Sequence, residues 1–571
     1  MKYMETRESV CVLCPLGCPI GFNISRLSTG PEFPARVCAR GIFGSELLKH
    51  DQRIATPLVR SEGLLRETSW DAAIERLASG ISSAVEDGGP DSVAIVTGPG
   101  RSTQDLEAVA RLSEAIGTRS VACAFEPQDW PLLAAVESTP VSALEEAGCV
   151  LVIGDVFSTH PVIARTIVDA KYTARGNNLF VLDPRRSNTA WYASTHLQNR
   201  PGSEALVLAA MLAALHPGAD VTGEASWLKD LDSAALAAAA GIEPGDIARA
   251  ARAFASAEKG AIVLAPPARG VTDVALTATL AGLIVKAGGA GKGLVALPSE
   301  GNAVGAVDVA RRHSWPHVSE VRQGLESGEY KALLSIGTDL AAAYPSAALS
   351  QSLEKLSFVG TVSLFRGETE SFADVVLAGT TWLEDDGEVR LFDGDTAAWK
   401  AVASPSWAAL PLGQVVDRIV AKLPAAFNTT LKRGASSSVT VPIAERLERV
   451  RESLSSGRDL SLITLGASGH SGTGTVTRWV QWAQDMFPHG FVELGESQAA
   501  RMGITDGEQV SVTGDSGAAQ CVVRVTDRLE DGVAAVASYD PAARALFDWS
   551  AEDEGWFATG PGRVTVERLQ S

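Results

Sequence analysis

Short apolar segments that end in glycine or a polar turn recur along this chain, and helix-like segments separate them. SVAIVTGPG at 92–100 is followed by the helix-like STQDLEAVARLSEAIG, and strand-like segments at 149–156 and 178–184 flank a helix-like segment at 160–174. LLSIGTDL, FVGTVSLF and ADVVLAG repeat the strand pattern. Alternating strands and helices are typical of parallel, doubly wound sheets, which bind ligands beyond the carboxyl ends of their strands. The sequence therefore predicts an α/β fold with its functional residues in loops that follow strands.

The pattern changes in the last part of the chain. From Leu462 onward, short alternating strands are separated by turn residues, as in EQVSVTGDSGAAQCVVRVTDRLEDGVAAVASY. Such spacing indicates a β-barrel or a β-sandwich. We therefore expect an all-β domain after the α/β part.

Composition excludes several classes of function. The chain has 571 residues, of which 46% are hydrophobic, and its formal net charge is -19. That charge gives no general attraction to nucleic acid or to anionic lipid. No apolar segment is long enough to span a membrane, and the N-terminus lacks the apolar region of a secretion signal. We expect a cytoplasmic protein with no nucleic-acid partner and no direct membrane span.

Four of the seven cysteines lie within the first 38 residues. Cys11, Cys14, Cys18 and Cys38 have the spacing C-x2-C-x3-C-x19-C in a segment rich in proline and glycine. Structural zinc sites more often use two separated C-x2-C pairs, whereas three close thiolates and one later thiolate suit a 4Fe-4S cluster. The spacing favours the cluster, with a zinc site as the alternative.

Motifs at both ends of the chain carry a family resemblance. CARG is followed by PLVR and SWDAAIERL, the segment VIGDVFSTHPV continues to VLDPRRSNTAWYASTHLQNRPGSEALV, and GASGHSGTGTVTRW lies in the last domain. In motif and order the chain resembles molybdopterin oxidoreductases of the dimethyl sulfoxide reductase family, in particular formate dehydrogenase catalytic subunits. It is also similar to the large iron-sulfur subunit of respiratory complex I.

The resemblance implies cofactors and a domain order. The expected cofactors are a 4Fe-4S cluster and two molybdopterin guanine dinucleotides that hold Mo or W. The expected domains are an iron-sulfur domain at 1–58, a Rossmann-like α/β domain at 59–148 and 331–455, a second Rossmann-like domain at 149–330, and a dinucleotide-binding β-barrel at 456–571.

The resemblance also implies roles for single residues. Arg40 takes the position of a basic residue that lies between cluster and pterin, and it is a candidate catalytic residue. Asp183 and Arg185 would contact ribose or phosphate, and Glu204 would face guanine, because a carboxylate accepts both of its N–H donors. The full cofactor-binding set is Arg40, Gly154, His160, Asp183, Arg185, Gly202, Glu204, Gly337, His470, Thr473, Gly474 and Arg478.

Simpler interpretations of three of these residues stay open. Asp183 can merely end a strand, and Glu204 can begin a helix as a favourable dipole partner. His470 can be an exposed loop histidine.

The metal pocket departs from the family pattern. Cys123 in VACAFEPQDW is the candidate Mo or W ligand, since a soft thiolate suits such a metal. The formate dehydrogenases carry His directly after the ligand, whereas Ala124 follows here. A buried cysteine at a strand end is otherwise a small apolar residue, so both roles stay open.

These observations predict a catalytic subunit. By resemblance it oxidises or reduces a small molecule by two electrons, with formate and CO2 as the first expectation, and passes electrons through the N-terminal cluster to iron-sulfur or flavin subunits. The alternative is an electron-relay and scaffold subunit of a complex I-like assembly that lacks Mo or W.

Overall fold

The computed structural model describes residues 6–23, 28–29, 36–216, 227–229, 231–427, 442–454, 459–552 and 555–569. Within these ranges no helix is long and apolar enough to cross a membrane.

The cysteine segment begins the fold as a small antiparallel sheet. Its strands are Thr6–Val10, Pro19–Asn23 and Ser28–Thr29, and the first two pair with Val10 opposite Pro19. The turn between them carries Cys11, Cys14 and Cys18, and Cys38 immediately precedes the helix Ala39–Phe43. Ile20, Phe22 and Leu48 pack with Cys11 and Cys18 in one apolar cluster. The sheet therefore presents the cysteine turn to the interior of the protein.

A seven-stranded sheet forms the first α/β layer. Its central strands are parallel and its first two strands form an antiparallel hairpin at one edge. The order across the sheet is Leu64–Glu67, Leu58–Ser61, Val375–Ala378, Phe358–Ser363, Ala332–Ile336, Val93–Thr97 and Val121–Cys123. Strands buried on both faces read as continuous apolar runs, which explains the runs found in the sequence.

Helices cover this sheet on both faces. Ser69 caps the first long helix by accepting a hydrogen bond from the Ala72 N–H. The helices of this layer are Trp70–Gly88, Thr103–Ile116, Ala303–His313, Val318–Ser327, Leu340–Ala343, Ala347–Lys355 and Leu412–Val420. A hairpin of Gly387–Arg390 and Thr396–Trp399 lies beside the cysteine sheet, and the short 3-10 helices are Gly44–Lys49, Pro90–Ser92, Thr369–Ser371, Ala425–Phe427 and Thr477–Trp479.

A second, five-stranded sheet is parallel throughout. Its order is Thr195–Leu197, Asn178–Leu182, Cys149–Gly154, Gly260–Ala265 and Lys292–Ala296. The helices around it are Asp129–Ala135, Ser142–Glu145, Val156–Thr159, Pro161–Thr173, Asn188–Trp191, Glu204–Leu215, Ser233–Ala240, Pro244–Ser256, Val274–Gly288 and Ile443–Leu454. Glu204–Leu215 is apolar on all sides because other helices surround it.

The last domain is a closed six-stranded barrel. Its strand order is Leu460–Leu465, Val533–Ala537, Phe491–Gly495, Ala518–Thr526, Gln509–Thr513 and Gly562–Arg568. The helices attached to it are Gln481–Met486, Glu496–Met502 and Pro541–Arg544. The predicted combination of two α/β layers and a terminal barrel is confirmed.

Some helices pack across the domain limits that the sequence suggests. Ala303–His313 and Val318–Ser327 pack with elements of the seven-stranded sheet, although they lie within 149–330. Asp129–Ala135 and Ile443–Leu454 pack with helices of the five-stranded sheet. The sequence limits follow changes in pattern, whereas the packing partner of a helix is a non-local property. The limit predicted between 455 and 456 lies outside the described residues.

Candidate functional site

A large cleft lies where the strands of the seven-stranded sheet end. Its volume is about 1320 Å³ including its open mouth. Parallel strands place the loops that follow them at one edge of a sheet, so these loops form one wall and the barrel closes the other. The wall segments are 98–102, 337–339, 363–367, 380–382 and 471–479.

Close backbone approach shapes the floor of this cleft. Gly337 has φ +65°, and a Cβ atom there would lie 2.2 Å from Arg101 Nε. A Cβ atom at Gly98 would lie 2.8 Å from the carbonyl oxygen of Gly337. A larger residue would block this approach. Gly337, which directly follows the strand Ala332–Ile336, therefore leaves room beside the sheet.

Charged groups of the cleft occur in pairs. Arg478 donates to Asp339 at 2.9 Å, which joins the barrel loop to the sheet edge. Burial, together with the neighbouring carboxylate of Asp339, raises the pKa of Glu370 to about 7. Thr473 and Gly474 lie in the same barrel loop, and the Arg478 N–H donates to the Gly474 carbonyl at 2.8 Å.

A second, smaller cavity of about 460 Å³, which we call the inner cavity, is lined by residues of the cysteine segment, the five-stranded sheet and the barrel. Arg40 reaches it from the cysteine segment and donates to the carbonyl oxygens of His470 at 2.9 Å and Thr159 at 2.5 Å. The other polar residues that line the cavity are Glu126, Gln128, His160, Ser299 and Ser538. One cation therefore connects the cysteine segment, the five-stranded sheet and the barrel.

Two buried histidines border this cavity in the neutral form. Burial and the charge of Arg40 lower the pKa of His160 to about 3, and its ring nitrogens lie 2.9 Å from Thr159 Oγ1 and 3.0 Å from the Pro298 carbonyl. Burial lowers the pKa of His470 to about 4. His470 stacks on Tyr539 at 4.1 Å, and its Nε2 has no partner among the described residues. His470 is thus not the exposed loop histidine that the sequence also allowed.

The four N-terminal cysteines interact with one another. Burial raises the pKa of Cys11 well above its usual value, and the charges of Cys14, Cys38 and Cys18 add to that rise. Burial lowers the pKa of Arg40, but the charges of Cys14 and Cys38 more than offset this effect. The thiols and the guanidinium therefore stabilise each other's charged forms. In the described part of the chain, no three Cys, His, Asp or Glu residues are arranged to hold a metal ion.

The carboxyl edge of the five-stranded sheet holds a second set of predicted residues. Gly154 ends a strand at φ +95°, and a Cβ atom there would lie 2.1 Å from the Ala265 carbonyl. Asp183 accepts from the Arg185 N–H at 2.8 Å, and burial followed by the charge of Asp155 raises its pKa to about 7. Arg185 itself forms a bidentate ion pair with Glu493 of the barrel, at 2.8 and 3.0 Å.

Glu204 is buried at the start of its helix and is only partly satisfied. Its Oε1 accepts from Asn199 Nδ2 at 2.9 Å, whereas Glu204 Oε2 and Asn199 Oδ1 have no partner among the described residues. Burial raises the pKa of Glu204 to about 7. A side chain at Gly202 would meet the Thr272 hydroxyl at 2.2 Å, so this glycine keeps the turn open.

Comparison with protein families decides the identification. A family model for molybdopterin oxidoreductases matches residues 53–421, which is more than half of the chain. The chain belongs to the molybdopterin oxidoreductase family. A molybdopterin dinucleotide-binding domain matches residues 460–553, which form most of the barrel.

Individual molybdopterin enzymes are similar over most of this chain. The NADPH-Fe(3+) oxidoreductase subunit alpha of Geobacter sulfurreducens is 25% identical over 92% of this chain and 71% of its own length. The F420-dependent formate dehydrogenase 1 subunit alpha of Methanococcus maripaludis is 24% identical over 92% of this chain and 93% of its own. Acetylene hydratase from Pelobacter acetylenicus has the same fold, with a TM-score of 0.72 and 15% identity over 99% of this chain and 100% of its own.

The structure places Cys123 of this molybdopterin oxidoreductase in an apolar environment. It ends the strand Val121–Cys123, is 2% exposed, and belongs to the core of the seven-stranded sheet. Burial, followed by the charge of Glu300, raises the pKa of its thiol well above the usual value. The next residue, Ala124, lines the large cleft. Cys123 therefore borders the site without lining either cavity.

Sequence reasoning missed three acidic residues of the site. Glu126 lines the inner cavity, Glu300 lines the large cleft, and Asp129 accepts from the Ser299 N–H at 2.9 and 3.0 Å. Burial, followed by the charge of Glu126, raises the pKa of Glu300 to about 7. All three residues lie in segments that follow strands. The expectation that functional residues occupy such loops could therefore have identified them.

Proposed function

We propose that this chain holds two molybdopterin guanine dinucleotides with Mo or W, and a 4Fe-4S cluster on Cys11, Cys14, Cys18 and Cys38. When bound, these groups supply two-electron chemistry toward a small-molecule substrate and one-electron transfer toward iron-sulfur or flavin subunits. The observation that carries the proposal is the position of Arg40, whose charge couples to the cysteine thiols and whose guanidinium reaches the inner cavity.

The donor set of the five-stranded sheet fits a guanine nucleotide. Glu204 Oε2 and Asn199 Oδ1 are two buried acceptors without partners among the described residues, and the edge of guanine offers two N–H donors. Unpaired buried acceptors cost free energy, so a ligand that pairs with them gains affinity. This fit supports one dinucleotide at this edge, with Glu204 on the base and Asp183 near the ribose.

The large cleft supports a second dinucleotide. Its volume of about 1320 Å³ is large, and it lies beyond the carboxyl ends of parallel strands. The glycines in its turns allow the backbone to approach a ligand closely. Arg478 and Thr473 would contact pterin or phosphate there. The neutral His470, with an Nε2 that lacks a partner in the described part, is suited to bind a polar group of the pterin.

Arg40 would orient the two halves of the site. It cannot lose its proton, and its two bonds to carbonyl oxygens fix the cysteine segment against the inner cavity. Its charge lowers the pKa of both His160 and His470 and so helps to keep these rings neutral. A guanidinium in this position favours negative charge on the cysteine ligands on one side and on the cofactor on the other.

Metal and pterin content test this proposal. Protein purified anaerobically should contain about four Fe and about one Mo or W per chain, since a single cube and a single bis-pterin site are expected. Cys11→Ser should lose most of the Fe, whereas the matched Cys521→Ser, in a barrel strand, should keep it. Equal Fe content in both variants, or zinc in place of iron, would reject the cluster.

Formate and CO2 are the first substrates to examine, because the family resemblance includes formate dehydrogenases. The protein should be incubated with formate under anaerobic conditions while the visible absorbance of the cluster is followed. Bleaching in the wild type but not in Arg40→Met would support oxidation of formate through this site. A metal-loaded protein that stays oxidised would exclude formate as the substrate.

A second candidate function is an electron-relay and scaffold subunit without Mo or W. The specific observation in its favour is the burial of Cys123 in the sheet core, since neither cavity is lined by the expected metal ligand. In that case the protein would contain about four Fe, no Mo or W, and no fluorescent pterin after acid release. Near-stoichiometric Mo or W would decide against the relay.

A further inference from the structure

Three large aromatic side chains lie exposed together on the outer side of the five-stranded sheet. Trp191 is 72% exposed, Tyr172 is 66% exposed, and Tyr192 is 36% exposed. Tyr192 is stacked on Phe157 at 5.0 Å with the rings nearly parallel. Aromatic rings of this size are normally buried in a protein without partners, and exposed groups of them mark interaction surfaces.

Cations hold these rings in position. Lys171 lies 5.0 Å from the centroid of the Tyr172 ring and donates to the Tyr192 carbonyl, and Arg186 lies 5.6 Å from the centroid of Trp191. Side chains that are fixed before binding lose less conformational entropy when a partner arrives. The rings are therefore presented as an ordered surface.

The charge around the rings is opposite to that of the whole chain. The chain has a formal net charge of -19, yet the segments that carry these rings, 157–175 and 186–192, contain Arg165, Lys171, Arg175 and Arg186 against one carboxylate, Asp169. Arg36 contacts the helix Pro161–Thr173 and Arg528 contacts the helix Asn188–Trp191 from other segments, and the carboxylates Asp169 and Asp527 pair with Arg36, Arg165 and Arg186. We call Trp191, Tyr172, Tyr192 and these six cations the cationic aromatic face.

The cationic aromatic face is continuous with the cysteine segment. Arg36, two residues before Cys38, donates to Thr166 Oγ1 at 3.2 Å and pairs with Asp169 at 3.0 Å, both on the helix Pro161–Thr173. Val162 of the same helix packs against the apolar cluster that contains Cys11 and Cys18. One helix thus connects the core around the thiols with Lys171 and Tyr172 at its other end.

We propose that the cationic aromatic face is the docking surface for an acidic electron-carrier protein. An acidic partner fits because the six cations of the face exceed its two carboxylates, and the exposed rings would supply apolar area at the centre of the contact. The proposal rests on the proposed function, in which the N-terminal cysteines hold a 4Fe-4S cluster. In each transfer the reduced cluster loses one electron, the carrier gains that electron, and no bond forms or breaks.

Binding to an acidic plant-type [2Fe-2S] ferredoxin tests the surface without turnover. The intact protein and the oxidised ferredoxin are mixed at low ionic strength, and Kd is measured by titration calorimetry. We expect Trp191→Ser and Arg186→Glu each to weaken binding at least tenfold, since aromatic and arginine residues dominate such contacts. Added salt should weaken wild-type binding, and Arg186→Glu should reduce that dependence on salt.

Trp407→Ser is the matched control. Trp407 is 54% exposed, and Arg53 lies 5.3 Å from its ring centroid, so it reproduces an exposed tryptophan beside an arginine at a different place. Its Kd should stay within twofold of the wild type. The proposal is overturned if the wild type does not bind the ferredoxin, or if Trp191→Ser and Arg186→Glu bind as the wild type does. It is also overturned if these two variants abolish dimerisation in sedimentation, because the surface would then bind a second copy of the chain.

A separate measurement distinguishes failure of the docking surface from failure of the proposed function. After reduction with dithionite, transfer to ferredoxin is followed by stopped-flow absorbance. If Kd responds to the variants but no electron transfers from a protein that lacks iron, the docking surface stands and the cluster is rejected. If electrons transfer at equal rates in the wild type and both face variants, the cluster stands and the docking surface is rejected.

Discussion

The buried ion pair between Glu126 and Arg544 should stabilise the contact between the barrel and the seven-stranded sheet. Arg544 Nη1 donates to the two oxygens of Glu126 at 3.1 and 3.2 Å, and both side chains are 1% exposed. Glu126 follows the strand Val121–Cys123, and Arg544 ends a helix of the barrel. The pair therefore joins two domains at the inner cavity.

Glu126→Gln removes the negative charge and keeps the shape. A buried cation then lacks its counter-ion, and breaking such a pair costs about 3–5 kcal/mol of unfolding free energy. Arg544 keeps its bonds to the carbonyls of Ala343 at 2.7 Å and Ser538 at 3.1 Å, and Gln still offers one acceptor. We therefore expect a loss near the lower limit, about 3 kcal/mol.

A double-mutant cycle isolates the contribution of the pair. Arg544→Met should also be strongly destabilising, because it leaves a buried carboxyl without its cation. In the double variant neither charge is left unpaired, so its cost should be smaller than the sum of the single costs by about 1–3 kcal/mol. Urea unfolding followed by circular dichroism measures all four proteins. Glu75→Gln breaks an exposed pair with Lys422 and should leave the unfolding midpoint unchanged. A loss under about 1 kcal/mol for Glu126→Gln, or additive costs, would refute this reasoning.

Two further variants test the edge of the five-stranded sheet. The pKa of Glu204 rises from its usual 4.5 to about 7 on folding. The carboxyl group therefore stabilises the folded state relative to high pH only while it is protonated, and this part of the free energy of unfolding is present below pH 4.5 and is lost as the pH rises through 7. Glu204→Gln should therefore raise the stability of the cofactor-free protein at pH 8 by about 3 kcal/mol and leave it unchanged near pH 4, as measured by urea unfolding; the same substitution at the exposed Glu243 is the matched control. Gly154→Ala places a Cβ atom 2.1 Å from a carbonyl oxygen at φ +95°, and should lower the melting temperature and the pterin content; Gly176→Ala, which meets no atom within 4 Å, should change neither.

Local patterns in the sequence predict the elements of this protein well. Apolar runs buried on both faces give the strands, and Ser69 caps the helix that its position indicates. The short alternating segments separated by turn residues after Leu462 correspond to strands of the barrel. These features depend on residues within a few positions of one another, so a single sequence contains the necessary information.

Contacts between distant segments limit prediction of the site. The partner of Glu126 is 418 positions away, and Arg40 bonds to a carbonyl 430 positions away. No local pattern identifies such pairs. Cys123 illustrates the same limit at a single residue, because alternation along a strand of three residues does not tell which face meets the cleft and which meets the core.

The region around the inner cavity accommodates several buried ionisable groups. Arg40 donates to the carbonyl oxygens of His470 and Thr159, and Glu126 is paired with Arg544. Asp129 has no cation in direct contact among the described residues, and burial raises its pKa well above the usual value. Glu300 likewise remains partly protonated at neutral pH, since its pKa is about 7. Each acid is thus either paired or protonated, which lowers the free energy needed to bury it. As the pH falls, Glu300 loses its negative charge, whereas Arg40 and Arg544 keep their positive charge. The electrostatic potential of the site therefore becomes more favourable to anions.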